Sequence, residues 1–242
     1  MQDLWIVLVI GFACATQSLA GFGLALVAMP FLSILSLAPS IATPLIAVVG
    51  FILRPALVLR SWRSAEWREL WRFMLGAGFG VPIGVFIVHN FDEQILVRAL
   101  GALVLAYVAY EGLIVPRLAQ SRPRLGTAWA YPLGLAAGIF GGVYNIFGPP
   151  AIIFGMGRAW QSQHFRANLQ IFAMWITLLN IGAHFLDGNF SPEVLRLALL
   201  CVPAAFGGLW LGIYVERYLS EVHYTRLILI LLSFTGLRLL LT

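Results

Sequence analysis

Two long apolar segments of this chain are each interrupted by residues that break helices. Residues 4–38 contain the stretch AGFG at 20–23, and residues 127–157 contain NIFGPP at 145–150. Because a helix crosses ~30 Å of hydrocarbon in about 20 residues, each segment is too long for one crossing and short for two. We therefore predict that each forms a broken hairpin, in which one helical arm enters, a non-helical tip follows and a shorter arm returns.

The rest of the chain has the composition of a protein embedded in a lipid bilayer. Of its 242 residues, 61% are hydrophobic and 10% are charged, whereas a soluble domain carries about 25% charged residues. No basic region precedes the first apolar segment, so that segment is expected to remain in the mature protein. Six further segments have the length of a transmembrane helix, namely 41–59, 73–89, 95–115, 167–186, 194–215 and 224–241.

The loop arginines predict how these helices are oriented. Loops 90–94 and 187–193 contain no arginine, whereas eleven of the fifteen arginines lie in loops 60–72, 116–126, 158–166 and 216–226. By the positive-inside rule, the arginine-rich loops are cytoplasmic, the other two loops lie outside, and both termini are outside. Orientation therefore explains the net charge of +5, and no nucleic-acid partner is expected.

The order of the segments is the same in the two halves of the chain. Residues 1–115 and residues 127–242 each read as a hairpin followed by three spans, and residues 116–126 form a cytoplasmic linker. Three crossings and an even hairpin give an odd number, so the second half must be inverted. We therefore predict an all-α polytopic membrane protein with two inverted repeats, the architecture of secondary transporters.

The tips of the two hairpins are predicted to form one anion site. Pro149 and Pro150 suit the first turn of a helix, with Gly148 as the flexible turn before it, and a second new helix begins near Gly23. A helix N-terminus carries unpaired N–H groups and a partial positive charge. Inverted symmetry would bring both N-termini into one cavity near mid-membrane, where they favour an anionic substrate.

Polar residues beside the tips are the predicted substrate contacts, although an amide in a membrane core can also simply link two helices. Arg54 either extends to the cytoplasmic surface or faces the cavity as a counter-charge to the anion. Glycines at 134, 138, 141 and 142 favour close helix packing instead of binding. The predicted substrate-binding set is Gln17, Ser18, Gly21, Gly23, Arg54, Tyr144, Asn145, Gly148, Pro149, Pro150 and Gln170.

Three titratable residues are candidates for carrying a coupling proton. Glu111 is the one acid clearly inside a predicted span, and His89 and His184 end two spans on the outer side. Histidine titrates near neutral pH, although an ordinary interfacial role would also explain both histidines. A coupling cation and a homodimer are left open. No metal or cofactor is expected, because the cysteines and histidines lack the spacing of metal ligands.

The sequences around both tips resemble those of a known family. The stretch GFGLALVAMPFL near the start and the stretch GLAAGIFGGVYNIFGPPAIIFG in the middle are similar to the sulfite exporter TauE/SafE family, as is HFRANLQIF at 164–172. The resemblance covers nearly the whole chain. It implies a transporter of the bacterial inner membrane that moves small sulfur-containing anions such as sulfite and sulfonates.

Three functions other than secondary transport are also conceivable for two broken hairpins in a membrane. A passive anion channel could use the same helix ends, and another small organic anion could be the substrate. An intramembrane enzyme would need a nucleophile with a paired base, or a metal cluster, and the sequence offers neither pattern. A purely structural subunit would not need two broken hairpins. A transporter that exports sulfite, thiosulfate or a short sulfonate is therefore the leading prediction.

Overall fold

The computed structural model describes residues 2–20, 23–115, 124–215 and 221–241, and every regular element in these ranges is helical. Short 3-10 turns stand at Trp62–Ser64 and Thr127–Trp129, and a π-helical turn at Tyr110–Ile114 continues the fifth helix. The α-helices are α1 (Gln2–Ala20), α2 (Leu24–Ile34), α3 (Pro39–Ser61), α4 (Trp67–Asn90), α5 (Glu93–Ala109), α6 (Ala130–Tyr144), α7 (Gly148–Gly157), α8 (Ser162–Leu186), α9 (Pro192–Val215) and α10 (Glu221–Leu241).

Both long segments are broken where the sequence places the breaks. Gly23, with a φ of 121°, stands directly before α2. Asn145, with a φ of 57°, ends α6 in the left-handed conformation, which asparagine tolerates better than most residues. The prediction that Gly148 provides the flexible turn is wrong, because Gly148 is already the first residue of α7 and Asn145 makes the turn.

Four helices in the described part of the chain are long and apolar enough to cross a membrane: α4, α5, α8 and α9. The predicted spans at 41–59 and 224–241 form α3 and α10 but are not among these four. In α3 the apolar stretch among the described side chains is Pro39–Pro55, which is followed directly by residues whose side chains are not described. The fold is thus a polytopic bundle of helices, as predicted.

Glycines allow α4 and α6 to pack with their backbones in contact. A Cβ atom on Gly138 would lie 2.8 Å from the Cα atoms of both Ala77 and Gly80. One turn further on, Gly142 packs against Gly84 in the same way. A Cβ atom on Gly142 would lie 2.9 Å from the Gly84 Cα atom. The packing interpretation of these glycines is therefore confirmed, and it fixes the first arm of the second hairpin against α4.

The two halves of the chain use corresponding helix pairs. The first arm of each hairpin packs along the second span of the other half, so that α1 lies against α9 and α6 lies against α4. The remaining large interfaces join α3 to α8 and α5 to α10. If each helix of α1–α5 is replaced by the helix at the same place in α6–α10, and the reverse, the same four pairs result. The inverted orientation of the halves, and the repeat boundaries at 115 and 127, remain predictions.

Candidate functional site

A narrow cavity lies where α2 and α7 begin. Its space outside the protein atoms is about 410 Å³, including the part open to solvent. Both hairpin tips line it, together with side chains of α3 and α8. The lining consists of Gln17, residues 23–26, Arg54, residues 145–149, Leu169, Gln170 and Ala173. The structure therefore brings most of the predicted site residues to one place.

The two helix starts contribute differently to the cavity. In α2, the first N–H group that has a helical hydrogen-bond acceptor is that of Val27, which donates to the Gly23 carbonyl at 2.9 Å. The three N–H groups before it, at residues 24–26, are those that lack acceptors inside a helix. In α7, Pro149 and Pro150 have no N–H group, so only Gly148 offers one in the first turn. The α2 start is thus the richer source of backbone donors.

Arg54 is buried at the cavity, with 3% of its surface exposed. One Nη donates a hydrogen bond to the Thr177 hydroxyl of α8, and the guanidinium carbon lies 5.5 Å from the ring centroid of Phe147. In the described part of the chain, Nε has no hydrogen-bond partner and no carboxylate pairs with Arg54. The snorkelling interpretation is therefore wrong, because the guanidinium lies inside the protein.

Gly50 makes room for this guanidinium. It lies one turn before Arg54 in α3, and a Cβ atom there would come within 2.6 Å of the Arg54 Nη1 atom. A larger residue at position 50 would push the guanidinium away from its present place. The glycine thus helps to direct the charge toward the cavity.

Asn145 presents unused hydrogen-bond donors at the second tip. Its backbone N–H bonds to the Gly141 carbonyl at 2.7 Å, and its Oδ1 accepts a hydrogen bond from Asn180 at 2.9 Å. The Nδ2 atom is buried and has no partner among the described residues, as is also true of the Gln17 Oε1 atom. Buried polar groups are nearly always hydrogen-bonded, so these atoms mark a place where a ligand or water would bind.

Several predicted residues do not line the cavity. Tyr144 is buried, but its hydroxyl donates to the Leu96 carbonyl of α5 at 2.7 Å and so ties two helices together. Pro150 is buried in α7 and is not among the residues that line the cavity. Gly21 lies outside the described residues, and so does the side chain of Ser18. The assignment of substrate contacts to these four residues remains a prediction.

Sequence reasoning did not single out the polar face of α8 as a whole. Gln170, Thr177, Asn180 and His184 are separated by seven, three and four residues, which places all of them on one face of a helix. Gln170 lines the cavity, Thr177 holds Arg54, and Asn180 holds Asn145. The helical spacing of polar residues within an apolar span was the signal that could have revealed this face.

A second polar cluster joins α4 to the end of α7. Arg158 forms two hydrogen bonds with the Glu69 carboxylate, one of them at 2.9 Å from Nε to Oε2. Arg158 also donates to the Leu125 carbonyl at 2.8 Å, and Trp160 donates to Glu69 at 3.0 Å. The direct hydrogen bond to Glu69 raises the pKa of Arg158. The second hairpin is thereby fastened to α4 on the side that the loop arginines predict to be cytoplasmic.

Comparisons with known proteins agree over most of the chain. A family model described as Sulfite exporter TauE/SafE matches residues 6–239. The chain is also similar to the probable inner membrane transporter protein TsaS of Comamonas testosteroni, with 23% identity over 181 residues that cover 74% of each sequence. No solved structure gives a significant match.

Proposed function

Because the chain belongs to the sulfite exporter TauE/SafE family, we propose that it is a secondary transporter that exports a small sulfur-containing anion across the inner membrane. The substrate is sulfite, thiosulfate or a short sulfonate. It binds between the starts of α2 and α7 and is carried by alternating access. The sequence contains no P-loop for nucleotide hydrolysis, so the movement is driven either by the gradient of a coupling ion or by the gradient of the anion itself.

Buried Arg54 is the observation that supports this proposal most strongly. Moving an unpaired charge out of water costs several kcal/mol even after the protein relaxes, and a charged side chain inside a membrane usually marks a substrate or ion pathway. No carboxylate pairs with Arg54 in the described part of the chain. An anion in the adjacent cavity would provide the missing negative charge.

The donors around the cavity suit a compact oxyanion. The sulfur oxygens of sulfite or a sulfonate accept hydrogen bonds on several sides, and donors reach the cavity from separate directions. These are the backbone N–H groups at the start of α2, the Nδ2 group of Asn145 and the guanidinium of Arg54. Phe147 and the aliphatic side chains of the lining leave room for a small apolar substituent.

The Glu69–Arg158 cluster supports alternating access as the mechanism. Such a mechanism needs one side of the cavity to be closed while the other can open. The cluster fastens the end of α7 to the start of α4, so it would hold the predicted cytoplasmic side closed in this conformation. Release of α7 from α4 would then accompany opening toward the cytoplasm.

Thermal unfolding of the purified protein with sulfite, thiosulfate, methanesulfonate and chloride tests the proposal. A ligand that binds only the folded protein stabilises it by about 2.7 kcal/mol at a concentration of about 100 Kd. We expect the sulfur anions to raise the melting temperature and chloride to have a smaller effect. The test is repeated with Asn145→Gly and Asn145→Ala. Glycine keeps the left-handed turn while removing the amide, and alanine removes the amide and also strains the turn.

The pair of variants separates binding from folding. We expect both variants to lose most of the anion-dependent shift, and only Asn145→Ala to have a lower melting temperature without ligand. If the Asn145→Gly variant shows the full shift with every anion, the amide does not bind the substrate. If no sulfur anion stabilises the wild type over a wide concentration range, the proposed substrate class is wrong.

A further inference from the structure

A line of hydrogen bonds extends from the C-terminal end of α8 to the end of α6. His184 is completely buried, and its Nε2 atom lies 3.1 Å from the Gly142 carbonyl oxygen. Its Nδ1 atom lies 3.1 Å from Nδ2 of Asn189, which also donates to Asp187 at 2.8 Å. The ring therefore lies inside the protein, between α8 and the first arm of the second hairpin, α6.

These partners determine where the proton of the neutral ring lies. A carbonyl oxygen only accepts hydrogen bonds, so Nε2 must carry a hydrogen toward Gly142. The two hydrogens of the Asn189 amide are used by Asp187 and by Nδ1, which makes Nδ1 the acceptor. The hydrogen-bond network is therefore complete for the neutral ring, with Nδ1 as the one position that can take up a proton.

Protonation of Nδ1 would rearrange this end of α8. A protonated Nδ1 cannot face the Asn189 NH₂ group, because both would be donors. The amide must turn over or move away, and either change breaks its hydrogen bond to Asp187. The carboxylate of Asp187 is then free to pair with the charged ring. Two charge states of one side chain thus require two arrangements of the turn at 187–189.

The same helix face connects His184 to the cavity. Asn180 lies one turn earlier in α8, and its Nδ2 donates to the Gly141 carbonyl at 2.8 Å and to Oδ1 of Asn145 at 2.9 Å. His184 and Asn180 therefore hold consecutive carbonyls of α6, directly before Asn145. A positive charge near these carbonyls is favourable, because the C-terminal end of a helix carries partial negative charge.

Four consecutive carbonyls directly before this break face hydrogen-bond donors of the protein. The carbonyls of Phe140 and Gly141 accept from the backbone of residues 146 and 145, that of Gly142 faces His184, and that of Val143 accepts from Thr43 at 2.7 Å. In broken-helix transporters a metal cation is often held by such carbonyls when they are free. Here these four carbonyls have protein partners, and one of those partners is a titratable ring.

We propose that His184 is the proton-binding site of the transport cycle and that its proton and the anion bind cooperatively; this inference rests on the transporter function proposed above. The charged ring adds positive charge to the helix face that borders the anion cavity. Bound anion raises the affinity of His184 for its proton, and the proton raises the affinity for the anion by the same factor, because linkage is reciprocal. The two are then carried in the same direction, so export is driven by the gradient of the anion itself and the inward proton gradient opposes it.

Few other charged groups face His184. Asp187, at the C-terminal end of α8, is the nearby charged group on the same helix. The group of α6 that faces His184 is the uncharged Gly142 carbonyl. From α4 comes His89, whose Nδ1 lies 3.4 Å from Asp187 and whose side chain is 62% exposed. His89 contacts Asp187 and so belongs to this network, whereas His164, at the other end of α8, pairs with Glu66 at 2.7 Å and provides a matched control. Glu111 lies in the π-helical turn after α5 and is not part of the cavity lining.

Calorimetric titration with thiosulfate between about pH 5 and pH 8 tests the proposal, since histidine changes charge in this range and thiosulfate stays fully ionised. We expect the affinity of the wild type to fall by about 5- to 150-fold as the pH rises, the usual range of coupling between two sites. The affinity of His184→Gln should be independent of pH, because glutamine can donate to Gly142 but cannot titrate. His164→Gln should keep the wild-type dependence, because His164 lies outside this network.

A second variant covers the case in which His184→Gln does not fold. In Asn189→Asp, a carboxylate faces Nδ1 and favours the charged ring, so the fall in affinity should move to higher pH. An unchanged profile in Asn189→Asp, or a wild-type profile in His184→Gln, overturns the proposal while the transporter function stands. If thiosulfate and the other sulfur anions bind at no pH, the transporter proposal fails and this inference fails with it.

Discussion

Arg54 and Thr177 are joined by a hydrogen bond from the guanidinium to the hydroxyl, which links α3 to α8 beside the cavity. These are the helices that follow the first and the second hairpin. The only buried arginine in the described part of the chain therefore contacts both halves at once. Movement of either half would therefore shift the guanidinium of Arg54. This arrangement suits a binding site that opens alternately to the two sides of the membrane.

Replacing Arg54 with glutamine should greatly weaken anion binding. A hydrogen bond to a charged group contributes about 1.5–3 kcal/mol, which corresponds to roughly a 10- to 150-fold loss in affinity. The affinity for thiosulfate, measured by calorimetry, provides the test. Thr177→Val keeps the charge and removes only its anchor, so we expect a smaller loss. Equal affinities in wild type and Arg54→Gln would show that the arginine has a structural role alone.

Replacing Gly50 with alanine should weaken anion binding with little effect on stability. The new methyl group would displace the guanidinium of Arg54, which is the flexible end of a side chain and can move at low cost. A Cβ atom on Gly78 in α4 would meet no other atom within 4 Å, so Gly78→Ala is the matched control. We expect reduced thiosulfate affinity in Gly50→Ala and unchanged affinity in Gly78→Ala. Similar affinities in both variants would contradict the proposed role of Gly50.

Replacing Gly138 with alanine should destabilise the fold. Its methyl group would meet the backbone of α4 at Ala77 and Gly80, which cannot move aside without separating two helices. Overpacking of this kind costs about 1–3 kcal/mol. The melting temperature in detergent should fall in Gly138→Ala and stay the same or rise in Gly207→Ala, where the space is open. A stable Gly138→Ala variant would mean that α4 and α6 are not in backbone contact.

The Glu69–Arg158 pair should show strong energetic coupling. Both side chains are mostly buried, with 15% and 25% exposed, and the pair has two hydrogen bonds. A double-mutant cycle with Glu69→Gln and Arg158→Gln measures the coupling from unfolding free energies. We expect about 0.5–3 kcal/mol, the range for residues in direct contact. Additive effects of the two substitutions would exclude the pair as the fastening between α4 and α7.

Local sequence patterns were sufficient to predict the helix breaks and the cavity. Glycines and prolines weaken a helix, and their clustering at 20–23 and 145–150 was enough to place the breaks near Gly23 and Asn145 without the structure. Single prolines did not have this effect, because Pro30, Pro82 and Pro203 lie inside helices. The polarity of Gln17 and Gln170 in apolar surroundings also identified two lining residues. Helix breaks and polar residues in apolar segments depend on a residue and its neighbours along the chain, so a single sequence is enough to recognise them.

Features that depend on contacts between distant residues could not be predicted. The position of Arg54 near the end of a span fits a snorkelling side chain as well as a buried one, and only the space beside Gly50 and the hydroxyl of Thr177 decide between them. The burial of His184 likewise depends on Gly142, which is 42 residues away. Tyr144 stands next to the tip in sequence, but its hydroxyl reaches Leu96 of α5.

Uptake of thiosulfate into liposomes that contain the purified protein, compared between the wild type and Arg54→Gln, tests the central claim most directly. We predict that the initial rate of the wild type saturates as the thiosulfate concentration rises and that the rate of Arg54→Gln is close to that of empty liposomes. A saturable rate that is equal in the two proteins would contradict the assignment of the site to this cavity. A wild-type rate that rises linearly without saturation would instead indicate a passive channel and contradict a transporter.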